Sequence, residues 1–168
     1  VCGGGRVYVA DVRCDALADL PSRVGEVQET LLQCADSEAL LQACMVRAVA
    51  LRDAPGPGGL LAEAPASSAL LHDCFPSSLA DVVLAEVSEP WKAWSEKPPR
   101  RDDSRWSWGV PTRMRPTFAW VEHCLSHMNP AGTALMLVAT SELQSQKPVD
   151  EDILASLVQK GHVCAVVA

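Results

Sequence analysis

The sequence predicts an α/β domain built in three layers, with helices covering both faces of a mostly parallel sheet. Three observations carry that prediction. Short, continuous apolar runs, Ala80-Asp81-Val82-Val83-Leu84-Ala85 and Ala134-Leu135-Met136-Leu137-Val138-Ala139, have the character of strands buried on both faces. Between them Phe118, Val121, Leu125 and Met128 recur at helical spacing, so residues 80–139 read as a strand–helix–strand unit. Five or six such runs alternate with helical stretches along the chain, the pattern of parallel crossovers.

Taken in order, Gly3-Gly4-Gly5 precede a strand instead of following one, which makes them a lead-in and not a phosphate loop. Arg6 to Asp11 is the first strand, and Cys14 to Val24 reads as a helix that Pro21 ends or kinks. Thr30 to Cys34 forms the second strand. Asp36 or Ser37 then caps a helix running to about Arg52, with Leu40, Leu41, Cys44, Val46, Ala48 and Leu51 as its apolar members. The prolines and glycines of 53–59 make a turn into a strand at Leu60 to Glu63. Ala64 to Ser78 is irregular. After the strand at 80–85 come thirty-one residues, 86–116, with almost no periodicity. Asn129-Pro130-Ala131-Gly132 reads as a turn and Lys147-Pro148 as a break. A last helix starts at Asp150 or Glu151, runs to about Lys160 and stops at Gly161, and Val163 to Val167 reads as a final buried strand.

At 168 residues the chain has the length of one domain, 1–168, with enough sequence for a sizeable core. No stretch reaches the roughly 20 apolar residues of a membrane helix and no leader pattern precedes the first strand, so a soluble, cytoplasmic protein without membrane contact is expected. Seven cysteines, an odd number without a C-x-x-C pair, suit buried thiols in a reducing compartment. A net charge of −7 argues against an unaided grip on DNA, because phosphate neutralisation by Lys and Arg supplies most non-specific affinity.

Three clusters invite a chemical reading. His72-Asp73-Cys74 are consecutive, so they cannot all face one point, and they read as a solvated loop with Cys74 and Phe75 packed beneath it. His123 and His127 have the spacing of paired metal ligands, but they read as the polar edge of an amphipathic helix; no metal is expected. The 86–116 loop holds Trp91, Trp94, Trp106 and Trp108 among Lys97, Arg100, Arg101, Arg105, Arg113 and Arg115. Aromatics interleaved with Arg can clamp nucleic acid or dock a protein partner. The reading preferred here folds the tryptophans back onto the protein while the arginines pair with Glu96, Asp102 and Asp103.

The order ADVVLA, four residues, a tryptophan-containing loop, RWSWGVP and FAWVEHCLSHMNPAGTALMLVA resembles the core of adenine-N6 DNA methyltransferases of the type I restriction-modification kind. The resemblance implies a Rossmann-like fold and S-adenosylmethionine as cofactor. Where that family carries its catalytic Asn/Asp-Pro-Pro-Phe/Tyr, this chain reads Glu86-Val87-Ser88-Glu89, without the rigid prolines and without a ring on which an extruded adenine could stack. The cofactor motif falls on residues 11–17, where Asp11 and Cys14 match while Asp15 and Leu17 stand in place of glycines. Cys34 occupies the position of the ribose-binding acid, with Asp36 nearby.

These departures lead to the expectation of a catalytically degenerate member, used for binding or assembly, that has lost its hold on the cofactor. Two alternatives stand beside it. One is a divergent methyltransferase with another acceptor, in which Glu86 or Glu89 orients or deprotonates the substrate; the other is a protein-interaction scaffold acting through the 86–116 loop. DNA, if involved, is expected to be held by a partner or by a domain outside this chain, which reads as a fragment of a longer protein.

Overall fold

The computed structural model describes residues 5–10, 27–33, 59–63, 68–87, 93–139, 141 and 148–166, with backbone alone at 5, 27–30, 32 and 59–63. Among the described residues five strands form one sheet: β1 (Gly5–Ala10), β2 (Val27–Gln33), β3 (Gly59–Glu63), β4 (Ala80–Glu86) and β5 (Met128–Leu137), in the order β3-β2-β1-β4-β5. Two helices are described, α1 (Thr117–Ser126) and α2 (Pro148–Gln159). The expected helices at 14–24 and 36–52 lie outside the described residues. The α/β class and the mostly parallel sheet are as predicted.

β1 pairs in parallel with both β2 and β4, and β2 pairs in parallel with β3. β1 thus has neighbours on both edges, and Val7, Tyr8, Val9 and Ala10 are all buried. β4 lies between β1 and β5, as its apolar run requires, with Val83, Ala85 and Glu86 buried. Its second residue is tied to β1 and β5 by side-chain bonds. Asp81 accepts from the Arg6 backbone N–H at 2.9 Å and from the Asn129 amide at 2.8 Å, and these bonds hold its carboxyl below the ordinary value.

Ala80 donates to the His127 carbonyl and Val87 to the Leu137 carbonyl, so β5 runs alongside β4 in the same direction. Between those bonds β5 spans three more residues than β4. The Asn129–Gly132 segment, expected as a turn, therefore belongs to the strand, because pairing with β4 begins as soon as α1 ends. The surplus is taken up as an irregularity within the ladder. Burial of β5 on both faces is also corrected. β5 is the edge among the described strands, and Leu135 and Leu137 are each 58% exposed.

The chain divides into two compact units, one comprising Val1–Glu86 with His127–Met136 and the other Val87–Ser126 with Leu137–Ala168. The core of the second unit gathers Phe118 from α1 with Ile153 and Leu157 from α2, and Trp108, Val121, Leu125 and Leu154 pack against it. α1 begins directly after Pro116, whose carbonyl accepts the first intrahelical bond from Trp120. α2 starts at Pro148 itself, two residues before the earlier of the expected starts, since proline suits the first turn where its missing N–H is not needed. At the other end Gly161 sits at φ +73°, and two N–H groups turn back, Gly161 to Val158 and His162 to Leu157. That paired closure is the Schellman stop that the glycine predicted.

The final strand expected at 163–167 is absent among the described residues: 162–166 are irregular and exposed. An apolar run becomes a strand only where a neighbour pairs with it, and none of the described strands pairs with this one.

Candidate functional site

Parallel strands bring their carboxyl ends to one edge of the sheet, and ligands of open α/β sheets bind outside that edge. β1 ends there on Ala10, β2 on Gln33 and β4 on Glu86. Glu86 and Val87, the first two of the four residues expected to stand in for the motif, are both buried. Ser88 and Glu89 lie outside the described residues, as do Asp11, Cys14, Asp15, Leu17, Cys34 and Asp36.

A buried polar network that the sequence did not announce occupies the first unit. Gln33, at the end of β2, donates its amide to the His72 carbonyl and accepts from the Cys74 N–H at 3.0 Å. Both capacities of the side chain thus hold the 72–74 segment against the sheet. Asp73 caps the next turn by accepting from the Phe75 N–H at 2.9 Å. Its other oxygen lies 3.0 Å from Nε2 of His127, whose Nδ1 faces the Ser78 carbonyl at 2.9 Å. Tyr8 stacks on the His127 ring at 4.3 Å and meets Phe75 edge-on at 6.2 Å.

Two expectations change here. His123 and His127 are buried, not the polar edge of a helix, and His127 stands beyond the last residue of α1. The 72–75 segment is only partly the solvated loop expected, because Asp73 is the partner of a buried histidine. Tyr8, the chain's single tyrosine, set within an apolar strand, was the one available signal that a ring partner lay above β1.

In the second unit the long loop is ordered by its own contacts. Trp94 donates its backbone N–H to Arg113 at 3.1 Å and its indole to the Thr112 carbonyl at 2.9 Å, and Arg113 donates to the Glu96 carbonyl at 2.8 Å. Trp106 meets Trp94 edge-on at 5.9 Å and carries the Arg105 guanidinium 4.6 Å above its ring. Trp108 lies between Lys160, 4.5 Å from the ring, and His162, edge-on at 4.9 Å.

Arg100 pairs with Asp102 and Arg105 with Asp103, as the sequence suggested, whereas Arg113 uses the Glu96 backbone and not its carboxylate. Burial works to raise the Asp103 carboxyl, yet the Arg105 hydrogen bonds outweigh it and hold the group below its ordinary value. From α1, fully buried Glu122 accepts the Trp108 N–H at 2.9 Å. Burial pushes its carboxyl up to about 7. The tryptophans described here therefore turn inward, and the loop presents Lys97, Arg100, Arg101, Arg113 and Met114 outward.

A family model described as N-6 DNA methylase matches residues 60–168, from β3 through α2 and beyond. The chain belongs to the N-6 DNA methylase family. It is 31% identical over 88 residues to the type I restriction enzyme HindI methylase subunit of Haemophilus influenzae, a match over 52% of this chain and 20% of that protein. The crystal structure of the type I restriction-modification system methyltransferase subunit from Streptococcus thermophilus superposes with a TM-score of 0.71 at 21% identity, covering 95% of this chain and 34% of that one. The chain thus spans about a fifth of the curated relative and a third of the structural one. The matched span includes the carboxyl end of β4, which closes on Glu86 and is followed by Val87.

Proposed function

We propose that this chain is an N-6 DNA methylase domain that has lost adenine methylation and serves a larger assembly as a binding or structural part. The observation that carries this reading is the replacement of Asn/Asp-Pro-Pro-Phe/Tyr by Glu86-Val87-Ser88-Glu89 at the end of a central strand. An acceptor carbonyl fixed by prolines holds the exocyclic amine of an extruded base, and a ring stacks on its face. A buried valine and two carboxylates supply neither, and negative charge there repels a phosphate backbone.

The residues also fit S-adenosylmethionine poorly. β2 ends on an amide, Gln33, whose hydrogen bonds go to the 72–74 segment and the Tyr8 hydroxyl, and the next residue is Cys34 where the family places an acid. Asp15 and Leu17 stand where glycines would admit the cofactor. Contact with DNA is assigned to another subunit or to a further domain, consistent with the net charge of −7. The outward Lys97, Arg100, Arg101 and Arg113 are the part of the loop available to such a partner.

Transfer of labelled methyl groups to adenine-containing DNA tests the reading, with an active family member as positive control and calorimetric titration of S-adenosylmethionine in parallel. Neither turnover nor micromolar binding is expected. Turnover would instead favour a divergent methyltransferase in which buried Glu86 takes the place of the lost motif.

A further inference from the structure

We propose that Glu122 is a proton-operated latch: protonated, it holds the Trp106–Gly109 bend of the long loop on α1, and on ionisation it lets that bend go. The carboxyl is fully buried in the middle of the helix. Oε2 accepts the Trp108 N–H, and the Gly109 N–H is also directed at the group. Oε1 has no hydrogen-bond partner among the described residues. A neutral acid tolerates that arrangement far better than a carboxylate does, because an ionised group in a dry site needs several donors or a cation.

The surrounding charges supply no such cation. On the loop, Asp103 faces Glu122 with like charge, and Arg105 is committed to Asp103 and to Nδ1 of His123, the next residue of α1. From just past the end of α2, Lys160 and His162 reach the Trp108 ring. Among the described residues no basic side chain pairs with Glu122.

Burial first, and Asp103 second, raise the carboxyl from its ordinary 4.5 to about 7. The sign of the coupling follows. Between those two values the closed bend keeps the proton and the opened bend loses it, so closure weakens as pH rises through that window and levels off above about 7. The bend carries buried Trp106 and the Trp108 that packs on α2, so opening it would free aromatic surface in the segment that follows the family's motif position.

The test uses the intact chain. Amide exchange at Trp108 and Gly109, corrected for intrinsic chemistry, is followed from pH 5 to 8.5 in the natural protein and in Glu122→Gln, which mimics the neutral acid. The opening constant of the natural protein is expected to rise by up to roughly tenfold per pH unit between about 5 and 7, and that of the variant to stay flat. Parallel profiles in the two proteins would overturn the proposal. Should the variant fail to fold, the carboxyl carbon of Glu122 is titrated by NMR in the natural protein. A midpoint near 7 supports the latch, and one near 4.5 sinks it.

Discussion

His127 and Glu122 are buried to nearly the same degree, one just past the end of α1 and the other in its middle, yet their surroundings treat them differently. Each ring nitrogen of His127 has an oxygen within hydrogen-bond reach. The Ser78 carbonyl can only accept, so that contact calls for a hydrogen on Nδ1, while Nε2 faces the Asp73 carboxyl. Glu122 has donors on one oxygen and nothing on the other among the described residues. Burial alone therefore does not say what an ionisable side chain will do. Completion of its hydrogen bonds separates a fixed clamp from a group whose charge state can still be changed by the solvent.

The comparison can be broken most forcefully at the clamp. His127→Ala leaves the Asp73 carboxylate and the Ser78 carbonyl without their ring partner and removes the stack on Tyr8, and a loss of about 3 kcal/mol is expected in urea unfolding. A loss below about 1 kcal/mol would mean that water replaces the imidazole and that the clamp is no clamp. Gly109→Ala acts on the other side of the comparison, at the bend that Glu122 holds. Its φ of +153° disfavours any side chain, and a Cβ would lie 2.9 Å from Cγ1 of Ile153. Since an isoleucine side chain can give way, about 1–2 kcal/mol is expected, read as a lowered thermal midpoint together with faster exchange at Trp108. The smallest effect belongs to Arg100→Ala. Its pair with Asp102 is fully exposed, so no resolvable change in midpoint is expected in ordinary salt, and a clear drop would assign that surface a role in ordering the loop.

Much of the sheet was legible because its signals are local and repeated. The apolar runs at 6–11, 60–63 and 80–85 mark β1, β3 and β4 within a residue or so, and Gly161 marks the stop of α2. What failed was pairing. Nothing in Val163-Cys164-Ala165-Val166 says that no described strand pairs with it, and nothing in Leu135 and Leu137 says that β5 is the edge among the described strands. Residues 129–132 read as a turn because proline and glycine dominate local propensity, whereas in the structure they belong to β5.

The candidate site was legible only as a position. The sequence located the end of β4 but could not show Gln33 holding the 72–74 segment, because the two are about 40 residues apart. Glu122 was hidden for a similar reason: helical periodicity places a glutamate on a polar face by default, and only the loop packed over it reverses that.

The central position of β1 also bears on the order in which the chain can be assembled. Its bond to β4 joins residues 75 apart, so one edge of the first strand stays open until that stretch has been made, about 4–15 s at ordinary rates of synthesis. Contacts this distant in sequence slow folding, because the entropy of closing the intervening chain is lost before the sheet returns any of it. A strand that ends with every side chain from Val7 to Ala10 buried thus begins as an apolar edge in need of protection during translation.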